Sequence, residues 1–263
     1  MSETIVCSER DGILTLAFNR PEKLNALNAE MTSALIEALE RAERSASVRV
    51  VILAGTGRGF SAGQDLEEFV RRAAIPQSVP ISEHLRTGYN VVVTRLRAIE
   101  KPVIAALNGI SAGVGLSLAL SCDLRVAADD ALLTLGFSRI GLIPDGGASF
   151  MLPLLAGFGR GLELALTSAR IGAHEAYRIG LVNRVVPAAE LGSAAEALAA
   201  ELAALPASAL ALTKRAFNRS FLAGYAAWLE EEAELQELAA ADPDHAEGVR
   251  AFLEKRAPAF GRR

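Results

Sequence analysis

The sequence predicts an α/β fold, and three observations lead there. Short apolar runs such as 48–53 and 103–107 have the length of buried strands. Segments of helical periodicity stand between such runs, which is the pattern of an α/β body. Beyond about Ala188 only helical periodicity remains. The expected division is therefore an α/β core over residues 1–190 and an all-helical region over 191–263.

The elements follow in order. Ile5–Ser8 and Ile13–Phe18 read as strands around a turn at Arg10–Asp11–Gly12, with Leu14, Leu16 and Phe18 alternating onto one face. Asn28 caps a helix running to about Arg44, and Met31, Leu35, Ala38, Leu39 and Ala42 form its apolar stripe. Val48–Leu53 is a buried strand ending in the glycine-rich Ala54–Gly63. Asp65–Arg72 predicts a short helix, Ile75–Pro80 a mobile loop, and Tyr89–Glu100 a helix. Strand Val103–Leu107, a turn at Asn108–Gly109 and a short helix come next. Asp123–Ala127 and Leu181–Val186 are further strands, before helices over 194–204, 208–221, 223–241 and 246–256. Glu230–Glu232 with Glu234 reads as a solvated helix face.

Composition narrows the function classes. With 27 basic and 31 acidic side chains the formal net charge is −4, which argues against a nucleic-acid partner. Cys7 and Cys122 make no disulfide framework, and no Cys/His clustering suggests a metal. No charge occurs between Lys101 and Asp123, a run long enough for a membrane helix. Pro102, Asn108, Gly109, Gly113 and Gly115 break it too often for that, so a membrane partner is not expected. No secretory signal is visible, and a soluble cytoplasmic protein is the expectation.

Three glycine-rich places admit a ligand close to the backbone: Gly55–Gly63, Gly113–Gly115 and Pro144–Gly147. The first two fail the dinucleotide spacing. A helix starting near Gly113 offers unpaired N–H groups and the positive end of its dipole. Two such backbone donors form an oxyanion hole suited to an enolate beside a thioester.

Ordered motifs then make a resemblance specific. They run from Asn19–Arg20–Pro21 and Asn25–Ala26–Leu27 through Phe60–Ser61–Ala62–Gly63–Gln64–Asp65–Leu66 to Lys101–Pro102, Asn108–Gly109 and Cys122–Asp123. Gly141–Leu142 with Pro144, Gly180–Leu181–Val182, and Glu247–Gly248 with Phe252–Arg256 extend them. In this the chain resembles the crotonase (enoyl-CoA hydratase/isomerase) superfamily over nearly its whole length. The resemblance implies a spiral of β-β-α units, a helical C-terminal domain that mediates trimer formation, and a homotrimer or dimer of trimers. It also implies an acyl-CoA thioester substrate, with coenzyme A as part of that substrate and no separate cofactor. The implied hole donors are the N–H groups of Ala62 and Val114, the valine replacing the family's usual glycine.

Two departures shift the expected reaction. The family's hydratase glutamates would fall at Ser117 and Phe137, and neither residue is a base. Asp145, in Phe137–Ser138–Arg139–Ile140–Gly141–Leu142–Ile143–Pro144–Asp145, matches an aspartate of the isomerase branches, including the ring-epoxide isomerases of phenylacetate breakdown. Taken alone Asp145 is a turn aspartate. Among Leu142, Ile143, Phe150 and Met151 its basicity would be raised by desolvation. One carboxyl suffices to move a proton between carbons, so an acyl-CoA isomerase is the expected activity.

For CoA the resemblance implies Lys23, Leu24 and Ala26 along the groove, and Phe252 and Lys255 from the tail, often of a neighbouring subunit. Gln64, Asp65, Leu66, Gly113, Ser117 and Phe137 complete the expected substrate-binding set. Taken alone, each lysine reads as an ordinary surface charge. His84, Glu83 and Tyr89, in or beside the variable 70–88 stretch, are candidates to face the acyl group, and Trp228 reads as packing or interface. A hydratase or another crotonase-type lyase or hydrolase stays open on sequence alone, as does a non-catalytic CoA-ester binder.

Overall fold

The computed structural model describes residues 4–73 and 79–261. The opening hairpin is β1 (Ile5–Arg10) and β2 (Ile13–Phe18), paired antiparallel around Asp11–Gly12. Both turn residues have positive φ, 52° and 78°, which Gly12 tolerates without a Cβ clash. Next comes α1 (Ala29–Arg44), where Asn28 Oδ1 accepts the Met31 N–H at 2.8 Å as the expected N-cap.

Three long strands then share one habit. β3 (Val50–Gly55), β5 (Val103–Leu107) and β7 (Leu124–Ala128) are each followed at once by a short strand: β4 (Gly59–Ser61), β6 (Ile110–Ala112) and β8 (Leu132–Thr134). The long strands run parallel in a six-stranded sheet of order β1-β2-β3-β5-β7-β10, with β10 at Arg184–Val186. The short ones join β9 (Ile171–Gly172) in a second sheet, β4-β6-β8-β9. Helices close each repeat: α2 (Leu66–Ala73), α3 (Ile81–His84) and α4 (Asn90–Ala98), then α5 (Val114–Ser121), then α6 (Ala148–Ala156), α7 (Phe158–Thr167) and α8 (Ala173–Arg178). This is the crotonase-like spiral of β-β-α units. The second sheet went unread in the sequence, because strands of two or three residues carry no period-2 signal.

Local differences from expectation have simple causes. The helix expected from Tyr89 starts at Ile81, passing through a π-turn at Leu85–Tyr89 into α4, because Leu85 and Tyr89 both point into the core. The loop expected over 75–80 lies largely outside the described residues. All eight residues of α5 are buried, which explains the uncharged run between Lys101 and Asp123 as a central core helix. Among the described residues no single helix is long and apolar enough to cross a membrane.

Four helices end the chain: α9 (Leu191–Ala203), α10 (Ala207–Phe221), α11 (Tyr225–Ala240) and α12 (Pro243–Leu253). α9 packs on β2, β3, β5 and β7, so the helical region begins as part of the sheet's own cover. α10 is anchored by charge. Asp123 accepts from Lys214 Nζ at 2.7 Å and from Arg97 Nη1 at 3.0 Å, and Arg97 also meets Asn218 at 2.7 Å. α11 and α12 fold back over α3 and over a 3-10 turn at Phe137–Ile140. Asp123→Ala leaves two largely buried cations without their shared partner and is expected to cost about 3 kcal/mol by chemical denaturation.

Candidate active site

Two glycine loops meet at the head of α5. A Cβ on Gly63 would lie 2.8 Å from the Ala112 carbonyl oxygen and 3.4 Å from Gly113 Cα, so only glycine allows this approach. The loop bearing Gly63 is held from behind. Asn25, fully buried, donates to the Thr56 and Gly59 carbonyls at 2.9 and 2.8 Å and accepts from the Arg20 N–H at 2.8 Å. Arg20 pairs with Asp65 at 2.9 Å and donates to the Ala26 carbonyl at 2.6 Å. The Asn19–Leu27 motif is thus a brace for the loop.

That brace corrects one expected donor. The Ala62 N–H donates to the Leu24 carbonyl at 2.8 Å and is spent. Leu27 and Gln64 form a parallel bridge, in which Leu27 N–H donates to Gly63 O at 2.7 Å and Asp65 N–H to Leu27 O at 2.9 Å. In such a bridge the middle residue's own N–H faces the other way. Gln64 lines the cavity there, so its N–H is the donor this loop offers. The Val114 N–H, first of α5, has no intrahelical partner and lies across the same space. Val114 finds room because Gly146 faces it: a Cβ at 146 would sit 3.3 Å from Val114 Cγ2.

The cavity holds about 300 Å³ and is mostly apolar. Leu24, Ala62, Gln64, Leu66, Gly113, Val114, Phe137, Asp145 and Phe252 of the expected set line it. Phe252 reaches it from α12 of the same chain, 61% exposed. Five expected residues do not line it. Lys23 is on the surface with Glu67 at 2.7 Å, and Ala26 is buried beneath the loop. Asp65 caps α2 through the Glu68 N–H at 3.1 Å; burial opposes its ionisation, but that bond and Arg20 hold its carboxyl below the usual range. Lys255 is exposed beyond α12. Ser117, fully buried, stands behind the wall and donates to the Asp145 carbonyl at 2.7 Å. Tyr89 is core, stacked edge-on with His84 at 5.1 Å, and Glu83 is exposed.

Asp145 is 3% exposed. Its Oδ2 accepts from Gln236 Nε2 at 2.8 Å, while Oδ1 has no partner among the described residues. Burial, with the nearby charge of Glu232 adding to it, pushes its pKa up to about 8, against the pull of the Gln236 bond. Glu232 and Gln236 were both missed in the sequence, Glu232 being assigned to a solvated face. In fact Tyr225, Leu229, Glu232, Ala233 and Gln236 form the buried stripe of α11. Its helical spacing was the available signal. Among the described residues, no group of three His, Cys, Asp or Glu side chains is placed to hold a metal ion.

The family model described as Enoyl-CoA hydratase/isomerase matches residues 8–263. The chain belongs to the enoyl-CoA hydratase/isomerase family. It is 40% identical over 261 residues to a 1,2-epoxyphenylacetyl-CoA isomerase of Escherichia coli (strain K12), covering 99% of each chain. It is 39% identical over 250 residues to a probable enoyl-CoA hydratase of Rhodobacter capsulatus, covering 95% of each. The crystal structure of an enoyl-CoA hydratase from Mycobacterium avium subsp. paratuberculosis superposes with a TM-score of 0.88 at 35% identity, covering 98% of both chains. Among the described residues lining the cavity, Asp145 is the one that carries a carboxyl group.

Asp145 also sets a stability signature. Its folded pKa of about 8 lies far above an unfolded value of about 3.9, so the native state holds a proton that the unfolded state releases. Stability from this group is full below about pH 4 and declines as pH rises through about 8. Asp145→Asn removes the titration. Its melting temperature is expected to match wild type near pH 4 and to exceed it by about 10 °C or more near pH 9, by thermal scans across pH.

Proposed function

We propose that this chain is an acyl-CoA isomerase that moves a double bond by proton transfer through a thioester enolate. The observation that carries the reading is the lone carboxyl of Asp145, with one oxygen unpaired in an apolar cavity and Ser117 and Phe137 at the other two expected acid–base positions. The thioester oxygen accepts hydrogen bonds from the Gln64 and Val114 N–H groups. Ionised Asp145 takes a proton from a carbon of the acyl chain through Oδ1, and the C–H electron pair becomes an enolate whose charge rests on the thioester oxygen. The neutral acid then returns the proton to a different carbon as the enolate collapses. Nothing is added or lost, and no water has to be positioned.

The E. coli relative supports an acyl group bearing a ring epoxide as the second form of substrate. Coenzyme A enters as part of the substrate, with Phe252 at the cavity mouth and Arg139 and Arg170 along its wall as the nearby cations. Phe158 and Leu166 on α7 and Phe217 and Phe221 on α10, all at least 60% exposed, support burial in a homotrimer or dimer of trimers.

The test is a 3-enoyl-CoA incubated with the protein in heavy water, followed by mass spectrometry and ultraviolet absorbance. Gain of conjugation without added water is expected. Addition of water would overturn the reading in favour of a hydratase. Asp145→Asn is expected to lower kcat about 10³-fold while CoA-ester binding persists. The wild-type kcat should rise with pH, because the base works only when ionised.

A further inference from the structure

Behind Asp145, a second buried carboxylate grips the turn that carries it. Glu232, 1% exposed on α11, accepts the Gly147 N–H at 2.7 Å, the Ser149 N–H at 3.3 Å and a short bond from the Ser149 hydroxyl. One helical turn on, Gln236 accepts the Ile143 N–H at 2.9 Å and donates to the Ile143 carbonyl and to Asp145. Residues spaced i, i+4 on one helix face thus hold the segment 143–149 on both sides of the base. Trp228 Nε1, on the same helix, donates to Ser149 Oγ at 2.8 Å.

We propose that Glu232 is a positioning residue for Asp145: it fixes the turn bearing the base, and its negative charge strengthens that base. The inference rests on the function proposed above. The polar groups facing Glu232 are Ser149 and the turn amides, the Asp145 carboxyl, and Tyr225 of its own helix. Tyr225 Oη lies 3.4 Å from Ser121 Oγ, and the cation beyond it, Arg97, is engaged with Asp123 and the Ser121 carbonyl. The charge of Glu232 therefore has no cation in direct contact among the described residues. Burial pushes its pKa to about 7, lowered less by its three donors, so it is ionised where Asp145 titrates.

A purely structural clamp and a charge acting on the base part company in Glu232→Gln. The amide keeps the shape and an oxygen for the Gly147 N–H but removes the charge. Infrared titration of the protonated Asp145 carboxyl band, assigned by its loss in Asp145→Asn, reads the effect without substrate. The wild-type midpoint is expected near pH 8 and that of E232Q about one unit lower. The acidic limb of kcat should move with it, and the high-pH plateau of kcat should fall about threefold at unchanged KM. Ser149→Ala, which weakens the ionisation of Glu232, should shift the band the same way by less, and it decides the matter should E232Q not fold. A midpoint unmoved or raised in the folded variants would overturn the role of Glu232. Absence of wild-type turnover on every acyl-CoA tried would overturn the isomerase reading instead, and the infrared midpoint would still stand on its own.

Discussion

The carboxyl group of Asp145 lies in the interior with Gln236 donating to one oxygen and no described residue donating to the other. An ionised carboxylate in that position forgoes most of its hydration, so the group rests neutral and becomes a strong base once ionised. The strain must be contained, because a free turn would swing its aspartate into water. Ser117 therefore ties down the Asp145 carbonyl, Gln236 the Ile143 amide and carbonyl, and Glu232 the amides of Gly147 and Ser149. Every bond in this set fixes backbone around the base while leaving Oδ1 open.

Elsewhere the same interior treats buried polar groups in the opposite way. Arg125, 3% exposed, has a guanidinium that donates to the carbonyls of Leu181 and Cys122 at 2.7 Å each, with longer contacts to Ala119 and Leu120. It thereby closes the C-terminal end of α5, whose N-terminal end supplies the Val114 donor. Asn25 and the Arg20–Asp65 pair brace the Gln64 loop with comparable completeness. Satisfied networks hold the Gln64 loop and α5 in place, and under the proposed function that rigidity is what would let their N–H groups meet charge present only during reaction. The unpaired oxygen of Asp145 is thus set against braces, at Arg125, Asn25 and Arg20–Asp65, that are each matched by several hydrogen bonds.

The α/β class, the helical tail and the N-cap at Asn28 were legible because each carries a local signature of period or cap, whereas the spiral and the candidate carboxyl at Asp145 came from the family resemblance. That resemblance also indicated that a loop donor lies within Phe60–Leu66, but it placed that donor at Ala62. The choice between Ala62 and Gln64 depends on which N–H the Leu24 carbonyl consumes, a contact with a residue 38 positions earlier in the chain. Lys23 is engaged on the surface with Glu67, a pairing across 44 positions that a local reading of the sequence does not display. Glu232 is the clearest case. Its charged neighbours Glu230, Glu231 and Glu234 suggested solvent, yet its place on the stripe with Tyr225, Leu229, Ala233 and Gln236 outweighs composition.

Ser117 shows why this site holds one carboxyl rather than two. It is fully buried, its hydroxyl is 2.7 Å from the Asp145 carbonyl, and a Cβ at Gly146 would come within 3.2 Å of Ser117 Cβ. The Asp145 turn therefore rests directly on the side chain at 117, and a longer acidic residue there would displace the turn. Such a residue would also add a third buried carboxyl beside Asp145 and Glu232, whose mutual repulsion already favours the neutral state of Asp145. A small hydroxyl at 117 and a base at 145 are thus two halves of one packing solution. Within it, the carboxyl at 145 and the small side chain at 117 fill the space that two longer acidic side chains would have to share.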